Sequence, residues 1–294
     1  MMKPEPILIP CDRRPQVLLL GNGINRAFQS ADSWDDLLKR IRTRTLSKEE
    51  TTQLAAVPYP LRPVILTGGQ LETNLPKIAG ALADLQPPEP EKELLRRFAQ
   101  LPVDAILSTN YTYELEKSLI PGFKASVGRH SKYRKLAHAS GSKDNDRWLS
   151  TYFQPPENVP GIWHIHGEAA RPDTMILGHY QYGKLLSWSQ QHISGLIRHY
   201  RGKQKGKNLL PIHSWLDWFL LGDIHIVGFG LDLSELDLWW LINCKMRNFS
   251  HTTITWYKSN ITPGQQLLAE ACGVKVVSDT PAGKDYPTYY RRLA

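Results

Sequence analysis

The sequence predicts an α/β protein built on a mainly parallel, Rossmann-like sheet with helices on both faces. Three observations carry that prediction. Short, nearly all-apolar runs recur along the chain, amphipathic helical patterns lie between them, and several runs end in Gly, Ser, Thr or Asn, where a chain turns out of a sheet. The runs are Val17–Leu20, Ala105–Leu107, Trp163–Ile165, Ile224–Val227, Thr252–Trp256 and Val274–Val277. The helical patterns fall at Trp34–Arg42, Glu91–Gln100, Tyr113–Leu119, Ser214–Leu220 and Gln265–Ala271. Ligands of such sheets sit beyond the carboxyl ends of the strands, so the residues following each run are the candidates for function.

Two stretches exceed a minimal α/β unit. Residues 43–102 are helical in places and broken by Pro58, Pro60, Pro63, Pro76, Pro87 and Pro88, while residues 121–160 are basic, polar and loop-like. Both are expected as insertions into one sheet domain spanning 1–294, a length that suffices for one large core carrying a smaller lobe. No internal repeat is visible.

Composition narrows the class. A hydrophobic fraction of 41% is that of an ordinary globular chain. No apolar run reaches the eighteen or so residues of a membrane span, and the opening MMKPEPILIPCDRRPQ holds no signal-peptide core, so the expected location is the cytoplasm. Cys11, Cys244 and Cys272 are the three cysteines, without a CxxC pair, which rules out a four-thiolate zinc site and argues against a disulfide framework. The net charge is +8, with positive clusters at Lys39–Arg44, Lys124–Lys135 and Arg198–Lys207. Such clusters suit solvated loops or attraction to an anion such as a nucleotide or nucleic acid; charge alone does not choose.

The strand ends carry the chemistry. The first run leads into Gly21-Asn22-Gly23-Ile24-Asn25-Arg26. Glycines there let the backbone approach a bound group, and the amides of a following helix can hold a phosphate; a tight strand–helix turn explains them equally. The second run ends in Ser108-Thr109-Asn110-Tyr111-Thr112. The Asn110 amide both donates and accepts, which suits a ribose hydroxyl or a water, or else it caps the next helix. The third is Gly161-Ile162-Trp163-His164-Ile165-His166-Gly167. Strand alternation points His164 and His166 to one face, and Gly167 permits a sharp turn that leaves His166 at the mouth as a candidate general base. A rival reading makes His164 and His166 a metal pair, but His179, His192 and Asp232 stand at no recognisable ligand spacing. The fourth run ends in Gly228-Phe229-Gly230-Leu231-Asp232 and then Ser234-Glu235-Leu236-Asp237, a second glycine turn before an acidic helix start. The helix dipole alone favours acids there.

In this order and placement, the four segments resemble the SIR2 family: the sirtuins and the wider group of bacterial SIR2-like NAD-consuming domains. The resemblance covers residues 17–30, 103–117, 161–180 and 223–243. It implies that Gly21, Asn22, Gly23 and Asn25 form the first nucleotide loop, that Thr109, Asn110 and Tyr111 meet the ribose, that His166-Gly167 is the catalytic His-Gly pair, and that Gly228, Gly230, Asp232 and Asp237 cradle the adenosine half. Asn22 and Asn25 stand where Ala and Ser are commoner, and Thr112 where many relatives have Asp. The cysteines cannot build the sirtuin zinc ribbon, and no Gly-Ile-Pro-Asp-Phe-Arg-like segment follows the first loop.

The resemblance therefore implies hydrolysis of NAD to nicotinamide and ADP-ribose, with His166 and Asn110 catalytic, NAD as substrate, and no zinc or other metal. It also implies a regulated NAD-depleting effector of anti-phage defence that works as a homo-oligomer or with a partner or sensor chain. Further readings are a non-catalytic NAD- or ADP-ribose-binding module, a SIR2-type deacylase or ADP-ribosyltransferase, and a nucleic-acid-associated protein acting through the Arg198–Lys207 loop, for which no recognisable binding motif exists.

Overall fold

A computed structural model describes residues 4–29, 33–83, 86–124, 132–156, 158–203 and 209–294. Parts of the two basic runs expected at Lys124–Lys135 and Arg198–Lys207 lie outside the described residues.

The described residues form ten strands: β1 (Ile7–Pro10), β2 (Gln16–Leu20), β3 (Ala105–Ser108), β4 (Arg134–Leu136), β5 (Thr151–Phe153), β6 (Gly161–His164), β7 (Leu209–Ile212), β8 (Asp223–Val227), β9 (Ile254–Lys258) and β10 (Lys275–Ser278). Eight of them make one sheet in the order β10-β9-β8-β2-β3-β6-β5-β4, while β1 and β7 pair separately as an antiparallel ribbon. The six predicted runs are the six parallel strands, β2, β3, β6, β8, β9 and β10. Taken by themselves they run sixth, fifth, fourth, first, second, third, which is the doubly wound Rossmann order. The order reverses between β2 and β8, and such a switch point opens a crevice at the carboxyl ends of the strands.

Alternation along these strands feeds two cores. Val17, Leu19, Leu107, Trp163, Ile224, Ile226 and Trp256 enter one; Leu18, Leu20, Ile106, Ile162 and Val227 enter the other. The chain between β2 and β3 passes through α1 (Gly23–Ala27), α2 (Trp34–Ile41), α3 (Lys48–Leu54), α4 (Arg62–Leu66), α5 (Leu71–Ala83) and α6 (Glu89–Ala99); α7 (Glu114–Leu119) and the single turn α8 (Lys143–Asn145) lie between β3 and β5. Apolar residues of α1, α2, α5, α6 and α7 fill the second core. Between β6 and β10 come α9 (His179–Lys203), α10 (Trp215–Leu221), α11 (Leu236–Asn248) and α12 (Pro263–Ala271), which fill the first; α13 (Tyr286–Leu293) returns to the second. Among the described residues, no helix is long and apolar enough to cross a membrane.

The helix α2 shows how sequence sets position. The Ser33 hydroxyl accepts from the Asp36 amide, a carboxylate oxygen of Asp36 accepts in return from the Ser33 amide, and Leu37, Leu38 and Ile41 are buried at helical spacing. That cap fixes where Trp34 enters the crevice. On the other face, Lys245 of α11 is fully buried and donates to the carbonyls of Phe219, Leu220 and Gly222, closing the carboxyl end of α10 against α11.

One expectation is corrected. The 121–160 stretch was expected to be loop-like; it supplies β4 and β5, which extend the sheet, β5 antiparallel to β6 with Phe153 opposite Ile162, and β4 antiparallel to β5 with Arg134 opposite Phe153. Each strand has only three residues, too few for an alternating pattern to register.

Candidate active site

A cleft of about 390 Å³ lies along the carboxyl ends of β9, β8, β2, β3 and β6. Four strand spacings of about 4.8 Å give a row of roughly 19 Å. Lys258 and Ser259 stand at the β9 end, Gly228 to Gly230 follow β8, Asn22 and Gly23 follow β2, Thr109 to Thr112 follow β3, and His166 closes the β6 end. Trp34, Leu37, Tyr59, Leu82 and Tyr290 complete the walls, so α2 and the 43–102 segment contribute to the cleft.

The glycines at the switch point have a packing role, as the tight-turn reading expected. A Cβ on Gly21 would stand 2.6 Å from Phe229 Cα, and a Cβ on Gly23 would stand 2.5 Å from the Gly228 carbonyl oxygen. The Gly23 amide donates to that same oxygen at 2.6 Å. Gly21 and Gly23 let the loop after β2 cross the loop after β8 at backbone contact.

At the other end, β6 stops at His164, and Ile165 and His166 form a turn. Gly167 completes it with φ 83°, and a Cβ there would lie 2.0 Å from the Thr174 carbonyl oxygen. His166 is 4% exposed. Its Nε2 donates to Asp237 Oδ2 at 2.9 Å, and Asp237, in the first turn of α11, is itself buried. An ionised carboxylate only accepts, so in the neutral ring this contact places the proton on Nε2 and leaves the lone pair on Nδ1, which has no partner among the described residues. Burial disfavours the charged ring, but the Asp237 carboxylate outweighs it and holds the pKa above the ordinary imidazole value.

Glu235, just ahead of α11, also lines the cleft, and its Oε2 accepts from the Tyr182 hydroxyl at 3.0 Å. Burial, together with the neighbouring Asp237 charge, pushes its carboxyl up to about 7, against the pull of His166. One potential ligand atom each from His166, Glu235 and Asp237 lies within 4.8 Å of the other two, the set of described residues best placed to hold a cation.

His164 has a different setting, and the expected shared face with His166 does not persist beyond the strand end. Its Nδ1 donates to the Asn110 carbonyl oxygen at 2.6 Å and its Nε2 to Glu116 Oε1 at 2.7 Å. Burial lowers the ring's pKa, but Glu116 more than offsets it and raises the value to about 9. Tyr113 and Phe153 pack edge-on against the ring. With both nitrogens engaged, His164 cannot join His166 as a metal pair; it fastens the loop that carries Asn110.

Residues 104–209 match the family model of the SIR2-like domain. Over that stretch the chain is similar to SIR2-like domains. The matched stretch runs from just before β3 to the start of β7 and contains both Asn110 and His166. SIR2-like domains use NAD as a substrate, and that family includes NAD-dependent enzymes, so the similarity points to an NAD-related function. No curated protein matches the chain.

The cleft collects most of the expected residues: His166, Asn110, Asn22, Gly23, Thr109, Tyr111, Gly228, Gly230 and Asp232 all line it. Tyr111 is held there by its hydroxyl, which donates to the Ile176 carbonyl at 2.6 Å. Asn110 does not cap α7, whose N-cap is Tyr113; it forms the wall between the cleft and a small closed pocket, and its Oδ1 is buried without a partner. Gly21 and Asn25 border that inner pocket rather than the cleft. Asp237 is the largest departure: it meets His166, not the end of the cleft expected for adenosine. Sequence reasoning missed Glu235, Tyr182, Arg26 and Lys258 as cleft residues. Lys258 and Ser259 come one residue after the fifth apolar run, a signal of the same kind as the others.

Proposed function

We propose that this SIR2-like protein hydrolyses NAD at the bond between nicotinamide and ribose, giving nicotinamide and ADP-ribose. The observation that carries the reading is the His166–Asp237 pair, which leaves Nδ1 free at the mouth of β6 with Asn110 on the adjoining loop. NAD lies along the strand ends, its nicotinamide riboside at the His166 end and its pyrophosphate towards Arg26 and Lys258. The glycosidic bond breaks with its electron pair passing to nicotinamide, and positive charge is left on C1′ and the ribose ring oxygen. Water then adds to C1′, and His166 Nδ1 accepts the water proton. Asn110 positions the ribose hydroxyls or that water. General-base assistance of this kind contributes about 10²–10⁴-fold.

The reading extends to a single NAD-binding domain over residues 1–294, acting in the cytoplasm as a regulated NAD-depleting effector of anti-phage defence, as a homo-oligomer or under a partner chain. An unregulated enzyme of this kind would drain its own cell, which is the reason for expecting a switch.

Chromatography of NAD incubated with the protein, alone and with candidate partner chains, tests the reading. Nicotinamide and ADP-ribose should appear in equal amounts, and Asn110→Ala should slow both. Calorimetric binding of NAD without either product would instead identify a non-catalytic NAD- or ADP-ribose-binding module.

A further inference from the structure

The acidic start of α11 is explained only in part by the helix dipole. Asp237 lies within the first turn, where the dipole favours an acid. Glu235 precedes the helix and lines the cleft, where Tyr182 of α9 donates to its Oε2 at 3.0 Å. His166 faces it from the turn after β6, Tyr111 from the loop after β3, Tyr182 from α9, and Asp232 and Asp237 from its own segment.

This corner is short of positive charge. His166 is the only cation available to Glu235 among those neighbours, and it is already committed through Nε2 to Asp237. A second carboxylate in such a place is disfavoured by burial and by Asp237, which is why its proton is retained to about pH 7. A cation entering the cleft would remove that penalty. Away from the His166 end the cleft is lined by Arg26, after β2, and by Lys258, at the end of β9, with Asp232 within electrostatic reach of both Lys258 and Glu235.

We propose that Glu235 forms a cation subsite whose carboxylate faces the positively charged nicotinamide riboside and stabilises the charge left on C1′ as the glycosidic bond breaks. The ligand class is a pyridinium riboside carried on an anionic tail. The catalytic half of the proposal rests on the NAD-cleaving function above; the binding half does not. Preorganised charge aimed at a developing charge contributes on the order of 10²–10³-fold to rate.

Two consequences separate this role from a structural one. First, both His166 and Glu235 must be unprotonated for turnover. The acid limb of log kcat/KM against pH should then approach a slope of two, as for a coupled pair. Second, the oxidised, cationic dinucleotide should bind better than ligands lacking the cation.

The experiment uses the full chain and the variants Glu235→Gln and Glu235→Asp, each checked for an unchanged melting temperature. Nicotinamide release is followed between about pH 5.5 and 8.5. Affinity is measured for ADP-ribose and for a carbocyclic NAD analogue, which keeps the pyridinium charge but resists cleavage. Glu235→Gln should lose on the order of 10²-fold in kcat, reduce the acid-limb slope from two to one, and weaken the analogue while leaving ADP-ribose unchanged. Glu235→Asp should restore the steeper limb in part, and it carries the test alone if the Gln variant does not fold. A Gln variant with the wild-type slope and kcat, or one that weakens both ligands equally, overturns the proposal. If wild type releases no nicotinamide, the hydrolase reading and the rate role fall together, and the comparison of the two ligands still decides the cation subsite.

Discussion

His164 and His166 stand two residues apart, and each donates through Nε2 to a buried carboxylate at 2.7 and 2.9 Å. They differ at the other nitrogen. In His164 it is closed by the Asn110 carbonyl, and the ring lies among Tyr113 and Phe153. In His166 it is left for the cleft. The difference teaches that a buried His–carboxylate pair does not by itself mark chemistry. A ring with both nitrogens satisfied is a structural cation, whereas a ring with one nitrogen fixed and one open is a base of defined tautomer. What separates the two is the turn of Ile165 and His166 out of the sheet, which Gly167 completes.

Breaking the turn should have the largest effect. Gly167→Ala combines positive φ with overlap against the Thr174 carbonyl, and positive φ alone costs about 1–3 kcal/mol in a side-chain-bearing residue. Denaturant unfolding should show a loss of more than about 3 kcal/mol, or no soluble protein; a melting point within about 2 °C of wild type would break this account of the turn. Next comes the structural pair. Glu116→Ala leaves the His164 charge buried and uncompensated, which costs about 3–5 kcal/mol. Equal stability of this variant and wild type would remove the distinction between the two histidines.

The pH dependence sharpens the same comparison. The folded-state pKa of His164, about 9, is above its unfolded value. Its contribution to stability is therefore fully present below about pH 6.5 and is lost as pH rises through about 9. Thermal melts should decline across that window, and His164→Gln should flatten the decline; a melting curve of wild-type steepness in the variant would contradict the assignment. The smallest effect is expected at Tyr182→Phe. Its hydroxyl lowers the Glu235 pKa, so its removal should move the acid limb of turnover upwards by less than about one pH unit, with stability changed by about 1 kcal/mol.

The centre of the parallel sheet was legible because β2, β3, β6 and β8 are largely buried on both faces and so read as continuous apolar runs. Strand ends therefore pointed to Asn110, His166 and the glycine loops without any contact being known. What the sequence could not supply was partnership across long separations. Asp237 looked like an acid placed for a helix dipole, and its bond to a histidine 71 positions earlier has no local signature. Glu235 was hidden for the same reason. The glycines at 21 and 23 were correctly placed at the switch point, but their need comes from Phe229 and Gly228, which no pattern around residue 21 reveals. The short edge strands β4 and β5 and the β1–β7 ribbon depend on pairing rather than on periodicity. The 25-residue α9 carries apolar groups too evenly mixed with polar ones to announce a face.

The most direct test sets His166→Ala beside wild type in one assay at saturating NAD, with melting curves of both. The account predicts that nicotinamide release falls about 10²–10⁴-fold while the melting temperature stays within a few degrees of wild type. A folded His166→Ala protein that cleaves NAD at the wild-type rate would contradict it.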